Sequence, residues 1–316
     1  MMLKSVQQHT VKEPVTITGV GVHSGITATM TVRPAPASSG ITFIRTDVTD
    51  RPNAIPARWN FVTDTRLCTV LTNKHGVSVA TVEHLLSAFA ALGLDNAVVE
   101  INSQEVPIMD GSAICFVKAL DQAGLASQNA PRRALRIKKT ISYKEGDKET
   151  FLSPADGAYY GLEISFENTL IGRQKYTHGM TETSYRRDIA AARTFGFLHE
   201  VEQLRKMGLA RGGSLDNAIV VDGDKILNPE GLRFKNEFVR HKILDAIGDI
   251  YLAGAPLIGH YHGVKAGHAM NNKVLHTLFA QPDAFEFITL GQTSPERRFA
   301  RPGIYAEIGQ PQAVTA

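Results

Sequence analysis

The chain has 316 residues, 43% hydrophobic and 21% charged, with 34 Lys+Arg against 31 Asp+Glu. That composition belongs to a soluble globular protein and excludes disorder, collagen-like repeats and disulfide-dense scaffolds. A formal charge of +3 is too small and too evenly spread to announce nucleic-acid binding. The chain holds neither a run of 18 apolar residues nor an apolar leader, so a cytoplasmic protein without stable membrane insertion is expected. Cys68 and Cys115 fit no metal or redox spacing.

In chain order, PVTIT and ITATMTV flank the glycine cluster GVGVHSG and predict a β-hairpin. Gly19, Gly21 and Gly25 miss the dinucleotide fingerprint, because the third glycine comes one residue late and a strand pattern follows. No GxxxxGK[ST] segment occurs either. From Thr81, apolar Val82, Leu85, Leu86, Phe89 and Leu92 recur at helical spacing, with Thr81 placed to cap the start and Gly93 to end it. NAVVEI reads as a strand, and Asp110 is placed to cap the helix AICFVKALDQAG. The polar stretch at 123 to 133 marks a boundary, dividing the chain into domains at 1–127 and 132–300 and a loosely held tail at 301–316. In the second half, RALRIKKTISYKEG and YYGLEISFE read as strands and DIAAARTFGFLHEVEQLRKMG as a helix with breaks. AIVV, the helix VRHKILDAIGDIYLAG, the strand and turn APLIGHYHGVKAGH and the helix NNKVLHTLFA follow. The expected class is α+β, with two layered sheet-and-helix domains.

His241 and Asp245 are four residues apart on a helix and therefore lie one above the other. At about 100° per residue, Ile243, Leu244, Ile247, Ile250 and Tyr251 cluster on one side, with His241, Asp245 and Asp249 roughly opposite. The polar side reads equally as a metal grip or as a solvated face with a surface ion pair. Glu83 and His84 open the otherwise apolar TVEHLLSAFAALG, where burial without a partner would be costly. First-turn complementation of the helix dipole and a satisfied core histidine is the alternative account. Together, His84, His241 and Asp245 make a two-histidine, one-carboxylate set of the kind a hydrolytic metal uses. Glu83 would be left free as a base, and His268 is a candidate second acid-base group with Asp249 to orient it. Spacing alone does not bring residue 84 to residue 241.

The blocks GVGVHSG, DTRLCT, TVEHLLSAFAALGLDN, PIMDGSA, ARTFGF, LDNAIVV, GLRFKNEFVRHKILDAIGD and GHAMNNK occur in this order. In these blocks the chain resembles the UDP-3-O-acyl-N-acetylglucosamine deacetylases, metal-dependent enzymes of lipid A synthesis in Gram-negative bacteria. The resemblance implies two α+β domains facing one another across the active site. It implies His84, His241 and Asp245 as metal ligands, Glu83 as general base, His268 as general acid, Asp249 as its carboxylate partner and Thr194 as the hydroxyl steadying an oxyanion. It places Lys242 and Phe195 in the substrate pocket, Phe166 against the uracil, and residues 196–221, including Gly213, around the acyl chain. SFENT at 165 to 169 departs from the family's Asp-Phe-x-His-Pro pattern. The implied cofactor is Zn2+, with Fe2+ also suited to such a set. The implied partner is an acylated UDP-N-acetylglucosamine; a monomer is the default expectation, and the small-residue tail AVTA reads as a site of control by a regulatory protease, as in some relatives. Rival readings are a zinc amidohydrolase for another N-acyl substrate and a non-catalytic sugar-nucleotide or lipid-binding module.

Overall fold

The computed structural model describes residues 5–167 and 170–291. The fold is α+β. In the first half, five strands stand in the order Val15–Val20, Thr27–Pro34, Ala97–Ile101, Ile41–Arg45 and Ala54–Pro56. The expected hairpin is the antiparallel pair of the first two strands, with Ile17 opposite Met30. Alternation sets its faces: Ala28, Met30 and Val32 are buried, while Thr16–Thr31 and Thr18–Thr29 join hydroxyls at 2.9 and 3.0 Å on the outside.

The second half builds a seven-stranded sheet around Leu257–Val264. That strand runs antiparallel to Lys148–Ser153 and parallel to Ala158–Ser165 and Arg133–Ile137. Arg173–Gly179 extends the sheet beyond Ala158–Ser165. Among the described residues, six α-helices accompany the sheets: α1 (Glu83–Leu92), α2 (Ile114–Ala123), α3 (Glu182–Asp188), α4 (Leu198–Lys206), α5 (Glu237–Tyr251) and α6 (His268–Phe279). α2 packs on the first sheet, α5 and α6 pack on the second, and α1 lies against α5. Gly93 ends α1 in the left-handed region, as expected.

Several local expectations differ from the structure. Thr81 does not cap α1: Val82 holds that position, and the Thr81 hydroxyl donates to Glu105 at 3.0 Å. Asp110 does not cap α2; it accepts from the backbone and hydroxyl of Ser112, shaping the turn before the helix. The segment 188–208 is not one interrupted helix. α3 stops at Asp188, Phe195–Phe197 is a strand parallel to Ile219–Asp222, and α4 follows. The polar stretch before Arg132 is a strand, Leu125–Pro131, paired with Gln7–Val11. The stretch 133–145 is two strands, Arg133–Ile137 and Ile141–Glu145. The tail at 301–316 lies outside the described residues. Among the described residues, no helix is long and apolar enough to cross a membrane.

His178, on the strand Arg173–Gly179, is 2% exposed, with the Ser184 hydroxyl 3.3 Å from its Nε2. Burial lowers its pKa from 6.5 to about 4. The unfolded chain therefore binds a proton that the folded chain refuses between those values. The stability tied to a neutral His178 is complete above about pH 6.5 and is lost as pH falls toward 4. From this group alone, urea unfolding at pH 5 should show about 2 kcal/mol less stability than at pH 7. His178→Gln should flatten the pH dependence by that amount, and an unchanged slope would refute the assignment.

Candidate active site

The crossing of α1 and α5 sets the centre. A Cβ on Gly248 would stand 2.0 Å from the carbonyl oxygen of Glu83, so glycine permits this approach of the two backbones. It brings the start of α1 against the middle of α5. Glu83 and His84 from one helix, and His241, Asp245 and Asp249 from the other, are all at least 95% buried. The polar side of α5 is therefore not a solvated face.

His84 Nε2 lies 3.4 Å from Asp245 Oδ1, and His241 Nε2 lies 3.3 Å from the same oxygen. The two rings are nearly perpendicular, with centroids 5.0 Å apart. A carbonyl can only accept, so His241 Nδ1 donates to Ala192 at 3.1 Å and leaves the Nε2 lone pair facing the carboxylate. Burial lowers the His241 pKa to about 3, which keeps that ring neutral. Asp245 Oδ2 accepts from Lys242 Nζ at 2.7 Å, while buried Oδ1 has no hydrogen-bond partner among the described residues. Burial opposes ionisation of Asp245, yet the Lys242 ammonium beside it holds it well below the usual carboxylate range. Three acceptor atoms thus converge within 4.8 Å of one another. An orphaned carboxylate oxygen and two imidazole nitrogens fit a divalent ion with nitrogen and oxygen ligands.

Glu83, Asp249 and His268 form a second group beside the first. His268 Nε2 lies 3.9 Å from both Glu83 Oε1 and Asp245 Oδ2. Its Nδ1 donates to Asp249 Oδ2 at 2.8 Å. Asp249 also accepts from the Thr69 hydroxyl at 2.6 Å and Asn271 Nδ2 at 2.8 Å, and Tyr261 donates to Asn271 in turn. Burial disfavours a charged His268, but Asp249 and Glu83 outweigh it and raise the pKa to about 9. Glu83 takes a backbone N–H from Thr69 at 3.1 Å, and burial raises its carboxyl above the ordinary range. The pair is thus a reluctant anion beside a stabilised imidazolium.

The strand before α4 forms the next wall. Buried Arg193 fixes it by donating through its backbone N–H and Nε to Glu237 Oε1 at 3.0 and 2.9 Å. This clamp sets the Ala192 carbonyl on His241 and carries Thr194 and Phe195 past the centre. Thr194 donates its N–H to Gly111 at 2.8 Å, and its carbonyl accepts from Ile219 at 2.8 Å. The Phe195 ring is 6.3 Å from that of His241 and 4.9 Å from that of Phe238. Phe166 meets Phe195 and Phe197 at 5.8 and 5.7 Å, so the aromatic contact runs into the segment 196–221. Within that segment, Met207 and Leu215 are exposed apolar side chains.

Gly212, rather than Gly213, is sterically required there. A Cβ on Gly212 would stand 2.2 Å from the Gly21 carbonyl oxygen, whereas one on Gly213 comes no closer than 3.4 Å to any atom. The glycine cluster near residue 21 wraps buried Glu105, which accepts from the backbone of His23 and Ser24 at 2.9 and 2.8 Å. Glu105, Thr69, Asn271 and the Arg193–Glu237 pair were not singled out from the sequence. Thr69 stands 180 residues from its partner Asp249, and no local spacing signals such a contact.

Comparisons with known proteins give the chain's relatives. The family model for UDP-3-O-acyl N-acetylglycosamine deacetylase matches residues 8–280. The UDP-3-O-acyl-N-acetylglucosamine deacetylase of Phenylobacterium zucineum is 51% identical over 289 residues, covering 92% of this chain and 99% of that protein. Its namesake from Chromohalobacter salexigens is 49% identical, covering 92% and 97%. That of Pasteurella multocida is 46% identical, covering 90% and 93%.

The close crossing makes Gly248→Ala a sensitive substitution. Alanine is intrinsically better in a helix by about 1 kcal/mol, but overpacking against the Glu83 backbone costs about 1–3 kcal/mol. Chemical denaturation should show net destabilisation, and a stabilised variant would show that the helices part freely.

Proposed function

The chain belongs to the UDP-3-O-acyl N-acetylglycosamine deacetylase family, and from that membership we propose that it is a metal-dependent hydrolase releasing acetate from UDP-3-O-(3-hydroxyacyl)-N-acetylglucosamine in lipid A biosynthesis. The observation that carries the reading is the orphaned Asp245 Oδ1 facing two imidazole nitrogens, with Glu83 and His268 alongside. His84, His241 and Asp245 would hold the metal. Zinc, or ferrous iron, would supply there a Lewis acid that acidifies water and polarises the acetamide carbonyl.

The remaining chemistry falls to the side chains. Glu83 accepts the proton of the attacking water, a role suited to a carboxylate whose burial makes it more basic. The Thr194 hydroxyl donates to the developing oxyanion. His268, held as imidazolium by Asp249, stabilises that charge and then donates a proton to the departing nitrogen, so that glucosamine leaves as an amine. Asp249 acts through His268, and Thr69 and Asn271 fix Asp249. Lys242 lines the pocket while it neutralises Asp245 Oδ2.

Phe166 packs the uracil, and Phe195 with residues 196–221, Gly213 included, encloses the acyl chain. The Phe166–Phe195–Phe197 contacts and the exposed Met207 and Leu215 support an apolar passage there. Binding energy from the acyl chain then positions the acetamide. The division into 1–127 and 132–300 draws support from the two largest sheets, each of which is built from strands of one half of the chain. The protein works as a cytoplasmic monomer, and a protease at its tail would regulate its amount.

Metal analysis and acetate release with the purified protein test the reading. His84→Ala and His241→Ala should lose both metal and activity. Glu83→Ala and His268→Ala should keep the metal and lose on the order of a hundred- to ten-thousand-fold in rate. Metal retained in His84→Ala but lost in Glu83→Ala would reverse the roles. Unacylated UDP-N-acetylglucosamine should be a poor substrate, and equal turnover of the two would remove the acyl passage from the account.

A further inference from the structure

The face of the second sheet turned away from α5 and α6 carries an arrangement that deacetylation does not use. Along Leu257–Val264, Tyr261 is fully buried and its hydroxyl reaches Asn271 in α6. Side chains alternate on a strand, so His260 and His262 share the opposite, outer face. Gly161 stands directly beside His262 in the register, and Thr177 stands beside Gly161 on the next strand. A Cβ placed on Gly161 would lie 2.5 Å from His262 Nδ1, 3.2 Å from His260 Nε2 and 3.2 Å from Thr177 Oγ1. Two imidazole nitrogens and a hydroxyl oxygen therefore surround one small hollow, kept open because residue 161 has no side chain.

His260 Nε2 is buried and has no hydrogen-bond partner among the described residues. Such a nitrogen, aimed at a hollow beside a second imidazole, is costly unless something accepts it. His262 is oriented by its other nitrogen: Nε2 lies 3.5 Å from Glu163 Oε1, and Glu163 is itself held by Lys175 at 2.6 Å and Arg173 at 3.1 Å. With its Nε2 proton turned toward this carboxylate, the ring keeps its Nδ1 lone pair for the hollow, and a carboxylate beside the far nitrogen commonly orients a metal-binding histidine in this way. Phe151 stacks on His262 with centroids 5.0 Å apart, and Tyr159 stands edge-on to His260, so the walls are apolar. Burial and the neighbouring His262 lower the His260 pKa, and burial and Lys175 lower that of His262, leaving both rings neutral and able to donate lone pairs.

We propose that His260 Nε2 and His262 Nδ1, above Gly161, form a peripheral site for a nitrogen-preferring divalent transition-metal ion, Zn2+, Ni2+ or Cu2+. The ion sits about 2.0–2.1 Å from each nitrogen, with the Thr177 hydroxyl and water completing its shell. It links the two strands that flank Ala158–Ser165 on the outside of the sheet and takes no part in the buried centre.

The test is calorimetric titration of the protein as purified with Ni2+, together with its thermal unfolding with and without the ion. Wild type should bind one Ni2+ at micromolar concentration and unfold at higher temperature in its presence. His260→Ala and His262→Ala should each weaken this binding by at least about tenfold and abolish the thermal shift. Gly161→Ala, which fills the hollow, should do the same, and Glu163→Gln should weaken binding by about tenfold through the orientation of His262. Binding should persist in His84→Ala, whose loss affects only the buried centre. Equal Ni2+ binding by wild type and His260→Ala, or none by wild type at micromolar concentration, would overturn the proposal. His260 is partly exposed, so its variant provides the decisive comparison should His262→Ala fold poorly.

Discussion

One backbone contact governs the centre: the passage of Gly248 over the carbonyl of Glu83. A helix pair separated by ordinary side chains leaves 8–10 Å between axes. Here a missing Cβ at the crossing brings the polar opening of α1 onto the polar stripe of α5. His84 can then share a carboxylate oxygen with His241, although the two residues come from different halves of the chain. The burial of Glu83 and of the polar stripe of α5 follows from that approach.

The two aspartates of α5 show how one helix face supports opposite tasks. Asp249 is saturated, with donors from Thr69, Asn271 and His268, and is therefore a fixed anion that stabilises an imidazolium. Asp245, four residues earlier, is satisfied on one oxygen by Lys242 and left bare on the other. A saturated carboxylate tunes a neighbour, whereas an unsaturated one recruits a ligand. The difference lies in what surrounds each residue and not in the residue type.

The sequence made the regular parts legible. Apolar spacing located α1 and α5, Gly93 marked a helix end, and alternation located the first hairpin. The four-residue interval between His241 and Asp245 disclosed half of the centre. Long-range polar contacts hid the rest. Thr81 has the residue type of a cap, but Glu105 takes its hydroxyl. The segment after α3 has helical composition, but Arg193 is drawn to Glu237, 44 residues away, and the backbone between the helices extends into a strand. The stretch before Arg132 is polar enough for a linker, yet Gln128 and Gln8 meet at Asn96 and the stretch pairs as a strand. Even the polar stripe of α5 suggested solvent, because a single helix does not reveal the helix that covers it.

The stitching of the loop at residues 21–25 to the segment beyond α4 has a further consequence. Arg211 and Gly212 donate backbone N–H groups to His23 and Val22, and buried Glu105 grips the same loop from below. Two walls from different halves of the chain are thereby joined into one rim. Evolution cannot reshape that rim by exchanging the later segment alone: a graft that disturbs Gly212 dislodges the early loop, so variation at the two places is expected to be inherited together.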